Sequence, residues 1–187
     1  MRDFLAKLSR TGTTTCVLKP NQSAGTDNVH RCETEDDAIS ASHAIHGQIN
    51  GLGQINDGVL CQEYLPGTEY AIDGVSRDCV YKILSIWEYD KRSVNGANFV
   101  YFGMTLRDPS DPKIRAVVEY AKEVVKRLRI DQGPSHMEVI CDTHGTVGSD
   151  GLSANHRQYS PCLVEVGMRC HGGEGTWLPI AMECIGR

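Results

Sequence analysis

The sequence predicts an α+β protein in which most strands pair antiparallel and the helices pack on the resulting sheets. Strand-like apolar segments follow one another closely between residues 59 and 107, with turn residues between them. Two segments repeat apolar residues at helical spacing, and a stretch rich in Gly and Asn covers residues 50–58. Together these features predict two α+β lobes, a smaller one over residues 1–58 and a larger one over residues 59–187.

The composition is that of an ordinary globular protein. Of its 187 residues, 40% are hydrophobic and 23% are charged, and the formal net charge is −5. This balance offers no basic surface for nucleic acid, and no apolar run reaches the ~20 residues of a membrane span. Residues 1–10 are too polar for a secretory signal. We therefore expect a cytoplasmic protein without nucleic-acid or membrane partners.

The chain has eight cysteines, and no two of them have the close spacing of a CxxC pair. Several lie in strand-like apolar runs, where a reduced thiol packs as a small hydrophobic group. We expect unpaired thiols in a reducing compartment, the alternative being a set of disulfides. A zinc site is not indicated, because the adjacent Cys170 and His171 lack the spacing of zinc ligands.

In the smaller lobe, residues 15–19 predict a strand and residues 29–32 its antiparallel partner. A capping-box pattern begins at Thr34 and predicts a helix that runs to about Ile49. Gly51 and Gly53 resemble part of a dinucleotide-binding fingerprint. The third glycine and the following helix are missing, which argues against such a site.

The larger lobe begins with a meander of strands. Asp73-Gly74 and Asn95-Gly96 predict the turns between them. Asp111 and Pro112 predict the capped start of a helix that continues to Leu128. The predicted strands cover residues 59–65, 69–75, 79–89, 98–107, 137–141 and 162–166, and residues 143–160 form a polar loop.

An apolar run places Lys19 directly before a loop of small residues that contains Ser23, Ala24 and Gly25. A lysine supplies a point charge, and small residues expose backbone N–H groups, so the pattern is typical of a polyphosphate site. The alternatives are an edge-strand lysine in solvent and a plain hairpin turn.

Two isolated carboxylates, Glu138 and Glu165, lie within apolar runs, and Arg169 follows the second. Burying a glutamate is costly unless it is paired, and Mg²⁺ prefers hard oxygen ligands. The sequence therefore indicates a Mg²⁺–nucleotide site. The alternatives are glutamates that face outward from their strands and an arginine in a surface salt bridge.

From about Thr15 to Gly175, the order and spacing of these motifs resemble the ATP-grasp superfamily, in particular its carboxylate–amine ligases of the L-amino acid ligase and carnosine synthase type. The resemblance implies the ATP-grasp fold, two lobes with mostly antiparallel sheets enclosing an ATP cleft. It implies ATP and Mg²⁺ as cofactors and small-molecule carboxylate and amine substrates. Glu138 and Glu165 match the family's two metal ligands, and Arg169 matches a residue that stabilises charge during phosphoryl transfer.

The resemblance also assigns residues 62–70 to the family's adenine-binding hinge. The Glu63 carbonyl and the Leu65 N–H would bind adenine, with Tyr64 between them, and Glu69 would accept from the ribose hydroxyls. The alternative for Glu63 and Glu69 is that both side chains face water.

Two departures from the family pattern affect these expectations. Gly167 stands where the family commonly has an asparagine ligand for a second Mg²⁺, which puts full activity in doubt. The family's N-terminal domain, which contributes to the substrate site, has no counterpart before residue 15, so we expect a piece of a longer polypeptide.

Further candidates have weaker patterns. Lys91 and Arg92 follow a long strand and either face the acceptor substrate or lie in a solvated turn. His136 and His171 flank the metal residues, as ligands or as hydrogen-bonded neighbours. Three functions stay open at this point: an ATP-dependent carboxylate–amine ligase, a nucleotide-binding module without turnover, and an interaction domain that binds no nucleotide.

Overall fold

The computed structural model describes residues 2–10, 12, 14–141 and 161–172, together with residues 179 and 183. The predicted loop over residues 143–160, residues 173–175 and Cys184 lie outside this part of the chain. Each of the seven cysteines within it is a reduced thiol, as predicted. Over the same residues, no helix combines the length and apolar character that crossing a membrane requires.

The helices and strands confirm the predicted α+β class. A short 3₁₀ helix, Pro112–Ile114, precedes the last α-helix. In chain order the other elements are α1 (Arg2–Arg10), β1 (Cys16–Pro20), β2 (His30–Cys32), α2 (Glu35–Ile45), β3 (Val59–Glu63), β4 (Thr68–Arg77), β5 (Val80–Val94), β6 (Ala97–Leu106), α3 (Arg115–Arg127), β7 (Gly133–Cys141) and β8 (Cys162–Gly167).

The first sheet has three antiparallel strands in the order β2-β1-β3, which confirms the predicted pairing of the first two strands. Alternation along β1 buries Cys16 and Leu18 on one face, where they pack with Ala38 and Ile45 of α2. Helix α1 adds Leu8 to this core. Helix α1 was not predicted, because five of its nine residues are charged or polar.

Helix α2 begins where the capping box predicts. The Asp37 N–H donates to the Thr34 hydroxyl at 3.1 Å, and the Thr34 N–H donates to the Asp37 carboxylate at 3.0 Å. The helix ends at Ile45 rather than at about Ile49. Gly47 has a φ of +77°, a left-handed conformation that terminates a helix.

The second sheet has five strands in the order β6-β5-β4-β7-β8, with antiparallel pairing of β4 to β5, β4 to β7 and β7 to β8. One face carries apolar side chains that pack against α3. This core includes Tyr70, Ile72, Ile86, Met137 and Val139 from the strands and Val117, Ala121 and Val125 from the helix. The opposite face carries the polar residues of the candidate site.

The predicted turn at Asp73-Gly74 is wrong. Both residues lie inside β4, at a β-bulge, and the hairpin turn falls at Asp78 and Cys79, which have φ values of +53° and +64°. Gly74 is required for packing, since a Cβ there would lie 2.3 Å from the Tyr81 ring. The predicted turn at Asn95-Gly96 is confirmed.

The predicted start of the last helix is also wrong. Pro112 begins the 3₁₀ turn, and α3 starts at Arg115 with Ile114 as an N-cap that makes no side-chain hydrogen bond. Asp111 does not cap α3 because its carboxylate accepts from the Arg107 guanidinium at 2.5 Å.

The chain divides into two compact units. Unit 1 comprises Met1–Tyr64 and Arg92–Val100, and unit 2 comprises Leu65–Lys91 and Tyr101–Arg187. Strand β3 belongs to unit 1 because it pairs with β1. The proposed lobes of residues 1–58 and 59–187 stay a prediction, and the first boundary between the units falls between residues 64 and 65.

Candidate functional site

The polar face of the second sheet gathers most of the predicted site residues of unit 2. In the register of β4 with β7, Ala71 lies opposite Glu138 and Asp73 opposite His136. Because side chains alternate between faces, Glu69 shares this face with Asp73 and lies diagonally from Glu138. The neighbouring strand β5 adds Trp87 and Tyr89, which lie opposite Ala71 and Glu69.

The two predicted metal ligands lie side by side. Glu138 on β7 pairs directly with Glu165 on β8, although 26 residues separate them in the chain. Glu165 is exposed and Glu138 is largely buried, so only Glu165 agrees with the alternative of an outward-facing strand residue. Two adjacent carboxylates form the hard-oxygen donor set that suits Mg²⁺.

Glu69 is engaged by Lys91, whose Nζ lies 2.5 Å from Glu69 Oε1. Their side chains are only 13% and 12% exposed, so Glu69 does not face water as the alternative required, and Lys91 does not lie in a solvated turn. Lys91 also lies 5.0 Å from the ring centre of Tyr89 and 4.6 Å from that of Tyr101. Aromatic faces help to hold a buried cation. Arg92 is exposed.

Glu69 and Glu138 carry opposite pKa shifts. Burial raises the pKa of Glu69 to about 7. The nearby Glu138 carboxylate raises this pKa further, while the attraction of Lys91 opposes the shift without cancelling it. Burial also opposes ionisation of Glu138, yet hydrogen bonding from His136 and attraction by Lys91 lower its pKa to about 2. Glu138 therefore ionises at a lower pH than Glu69, and a carboxylate must be ionised to bind a metal.

A hydrogen-bonded triad lies beside these glutamates. Asp73 accepts from His136 Nδ1 at 2.8 Å and from His171 Nδ1 at 3.0 Å. These bonds outweigh burial and hold the pKa of Asp73 well below its usual range. His136 and His171 are therefore hydrogen-bonded neighbours of the candidate metal residues, as expected. Asp73 was not predicted as a site residue, because the Asp73-Gly74 pair indicated a turn. An acidic residue alternating with the apolar Ile72 within a strand was the available signal.

The His136–Asp73 pair makes stability depend on pH. Burial disfavours the imidazolium, but the hydrogen bond to Asp73 raises the pKa of His136 to about 9 from an ordinary 6.5. A raised histidine pKa stabilises the fold fully below pH 6.5, and this stabilisation is lost as the pH rises through 9. We expect the melting temperature to fall between these pH values, and to fall less in a His136→Asn protein, when both are followed by calorimetry. Equal pH slopes for the two proteins would contradict this assignment.

Gly167 and Arg169 are close neighbours after β8. A Cβ added at Gly167 would lie 3.3 Å from Arg169 Nε and 3.4 Å from its Cγ, so the Arg169 side chain covers the position of the family's asparagine. Arg169 is exposed, and its guanidinium donates to the Cys170 carbonyl at 3.0 Å.

In unit 1, Lys19 lies on β1, the central strand of its sheet, so the edge-strand alternative is wrong. It pairs with Leu60 of β3 and lies on the face opposite the buried Leu18. Lys19 therefore lies near the end of an apolar strand, as the sequence predicted.

The loop with Ser23, Ala24 and Gly25 connects β1 to β2 and runs from residue 21 to residue 29, which is longer than a tight hairpin turn. Gly25 has a φ of +68°, and Ala24 and Gly25 are exposed. Asp27 holds the loop, because its carboxylate accepts from the Ser23 hydroxyl at 3.1 Å and from the Gly51 N–H at 2.7 Å.

The predicted adenine residues lie where the chain passes from unit 1 to unit 2. Glu63 ends β3 opposite Cys16, and the Tyr64 N–H donates to the Thr15 carbonyl at 3.1 Å. The Arg31 guanidinium lies 4.5 Å from the ring centre of Tyr64. Leu65 is the first residue of unit 2 and is half-buried. The adenine assignment stays a prediction.

Comparison with known proteins identifies the class to which this fold and site belong. Residues 13–150 match a family described as the ATP-grasp domain. The chain therefore belongs to the ATP-grasp family, and the predicted family and fold class are confirmed. The chain is similar to dapdiamide A synthase from Enterobacter agglomerans, with 33% identity over 170 residues. This alignment covers 91% of the chain and 36% of that protein, so the chain spans about a third of its relative's length.

Solved structures share the fold. The chain is similar to an L-amino acid ligase from Bacillus licheniformis, with a TM-score of 0.62, 21% identity, and coverage of 97% of this chain and 43% of that one. A D-alanine–D-alanine ligase from Bacillus anthracis gives a TM-score of 0.63 at 17% identity, with coverage of 100% of this chain and 53% of that one. Another structure from that organism, described as a D-alanine–D-alanine ligase complexed with ATP, gives 0.59 at 16% identity, with coverage of 100% and 52%.

Proposed function

We propose that this chain is the nucleotide-binding part of a ligase that joins a carboxylate to an amine with ATP and Mg²⁺, releasing ADP. The observation that carries the proposal is the direct pairing of Glu138 with Glu165 in a member of the ATP-grasp family. The names of its relatives, dapdiamide A synthase and L-amino acid ligase, support amino acids or peptides as the substrate class.

The proposed reaction has two steps. A substrate carboxylate oxygen attacks the γ-phosphorus of ATP, and the bond to the bridging oxygen of the leaving ADP breaks. The amine nitrogen then attacks the carbonyl carbon of the acyl-phosphate, inorganic phosphate leaves, and the nitrogen loses a proton. Both steps require positioning and stabilisation of developing negative charge.

The chain's charged groups meet these requirements in the proposal. Lys19 neutralises charge on the phosphates, and Arg169 stabilises charge on the transferring phosphoryl group. The loop with Ser23, Ala24 and Gly25 closes over the β- and γ-phosphates and excludes water. Glu138 and Glu165 would hold Mg²⁺, which supplies further charge neutralisation.

Glu63, Tyr64 and Leu65 would bind adenine through backbone groups, as the resemblance implies. Glu69 would bind the ribose hydroxyls, and its ion pair with Lys91 then limits which carboxylate lone pairs stay available. Lys91 is a buried cation in contact with the candidate ribose residue, so it would orient that carboxylate.

The test of the proposal is ADP release. ATP, Mg²⁺ and pairs of amino acids are incubated with the chain, ADP is measured with a coupled assay, and condensed products are identified by mass spectrometry. Substrate-stimulated ADP release with a matching peptide product is the expected result. ATP binding without any stimulated ADP release would overturn the ligase activity of this chain.

A nucleotide-binding module without turnover is the second candidate, and Gly167 favours it. Glycine offers no side-chain ligand, and Arg169 fills the space beside it. A second Mg²⁺ would have to obtain that ligand from elsewhere.

Replacing Gly167 by asparagine tests this candidate. The new Cβ would meet only the flexible Arg169 side chain, so the substitution should be tolerated. If a missing ligand limits turnover, the Gly167→Asn protein should release ADP about tenfold faster than the wild type at saturating Mg²⁺, within the 10–100-fold range of such ligand effects. An unchanged or lower rate, with ATP affinity preserved, would show that Gly167 does not limit turnover.

A further inference from the structure

Asp73 connects two histidines that lie on different segments of unit 2. His136 is on β7, and His171 follows β8. The side chains of Asp73, His136 and His171 are only 4%, 5% and 7% exposed. A buried carboxylate that bridges two buried imidazoles fixes both rings more firmly than exposed polar contacts could.

Both carboxylate oxygens of Asp73 accept hydrogen bonds from neighbouring side chains. Asp73 Oδ1 accepts from His136, and Oδ2 accepts from His171 and from the Ser85 hydroxyl at 2.8 Å. Ser85 in turn accepts from the Trp87 indole at 3.2 Å. The nitrogen and oxygen atoms of the triad are close enough to surround a metal ion, within 4.8 Å of one another. Each Asp73 oxygen already accepts from a donor, however, so the geometry favours hydrogen bonding of Asp73 with His136 and His171. We call this arrangement the Asp73 clamp.

Each histidine lies two positions along the chain from a residue of the proposed site. His136 precedes Glu138 on the same face of β7, and its Nε2 lies 3.8 Å from Glu138 Oε1. His171 follows Arg169 by two residues, and its ring centre lies 4.6 Å from that of His136. Asp73 therefore links the segment that carries the metal ligand to the segment that carries the arginine.

We propose that Asp73 is a positioning residue of this site, which sets the orientation of Glu138 through His136 and the path of the Arg169 segment through His171. This inference rests on the proposed function, because it assigns Glu138 to Mg²⁺. Groups that orient metal ligands by hydrogen bonds commonly change metal affinity by about 10–100-fold when they are replaced.

Three substitutions separate positioning from general stability. Asp73→Asn keeps the size of the side chain but replaces one accepting oxygen by a donor that faces an imidazole N–H. His171→Ala removes one arm of the clamp at a position outside the strands. His171→Asn restores a donor near the place of His171 Nδ1. Asp111→Asn is the matched control, since it removes a carboxylate that pairs with Arg107 outside the triad.

The experiment measures Mn²⁺ binding in the presence of ATP by electron paramagnetic resonance, with calorimetric unfolding of each unliganded protein. We expect Asp73→Asn and His171→Ala to weaken Mn²⁺ binding about tenfold or more, and His171→Asn to recover most of the loss. Asp111→Asn should bind Mn²⁺ like the wild type. A low-field imidazole N–H proton resonance should be present in the unliganded wild type and in Glu138→Gln, and absent in Asp73→Asn.

The outcomes distinguish this inference from the function on which it rests. Wild-type binding of Mn²⁺ with ATP, combined with unchanged affinity in Asp73→Asn and His171→Ala, would overturn the positioning role alone. Absence of Mn²⁺–ATP binding by the wild type would overturn the proposed function and this inference together. Metal bound by the triad itself, retained in Glu138→Gln and lost in His171→Ala, would also overturn it.

Discussion

In a Glu138→Gln protein, we expect ATP to bind with the same affinity whether or not Mg²⁺ is present. Glutamine keeps the shape of the side chain but removes the charge of a largely buried carboxylate that lies directly opposite Glu165. Mg²⁺ is usually held by one or two carboxylates together with phosphate oxygens, so one exposed glutamate would be left to bind it. In the wild type, we expect Mg²⁺ to increase ATP affinity about 100-fold, or roughly 2.7 kcal/mol.

Isothermal titration calorimetry with ATP in Mg²⁺ and in EDTA measures this difference. The Glu119→Gln protein is the control, because Glu119 is an exposed glutamate on α3 that forms an ion pair with Lys122. It should keep the full Mg²⁺ effect. An undiminished Mg²⁺ effect in the Glu138→Gln protein would remove Glu138 from the metal site.

The second large effect concerns Lys19. We expect a Lys19→Met protein to lose the thermal stabilisation that Mg²⁺–ATP gives to the wild type. A ligand at 100 times its dissociation constant stabilises by about 2.7 kcal/mol, which corresponds to a melting temperature increase of roughly 5–10 °C for a chain of this size. Methionine keeps an apolar stem on β1 but removes the ammonium group that would neutralise the phosphates.

Differential scanning fluorimetry at matched ATP concentrations provides the measurement. Lys122→Met is the control, since Lys122 is an exposed lysine on α3 whose ion pair contributes little to stability. A normal ATP-dependent increase in the Lys19→Met protein would show that the ammonium group makes no contact with the triphosphate.

Local chemistry made part of this fold predictable. The apolar run that leads to Lys19, the capping box at Thr34 and the Asn95-Gly96 turn each depend on neighbours in sequence, and all three are found where predicted. Such signals act within a few residues, and tertiary contacts did not override them here.

Two of the failed predictions involve side-chain partners that local composition does not indicate. Asp73-Gly74 has the composition of a turn, but the Tyr81 ring requires the glycine and two histidines engage the aspartate. Asp111 has the composition of an N-cap, but Arg107 takes its carboxylate. The histidine partners of Asp73 are distant in the chain, whereas Arg107 lies only four residues before Asp111.

The candidate site was predictable residue by residue but not as an arrangement. Isolated glutamates in apolar runs indicated Glu138 and Glu165, and the register of β7 with β8 then placed them opposite each other. The Glu69–Lys91 ion pair and the Asp73 clamp depend on pairing between strands, which spacing along the chain does not encode.

In the proposed function, Lys19 and Glu138 serve one bound nucleotide. An acyl-phosphate derivative of ATP transfers its acyl group to a lysine beside the phosphates, and peptide mass spectrometry identifies that lysine. We expect Lys19 to be acylated in the wild type, protected by excess Mg²⁺–ATP, and acylated at least tenfold less in the Glu138→Gln protein. Labelling of Lys19 that neither Mg²⁺–ATP nor Glu138→Gln reduces would contradict a shared site.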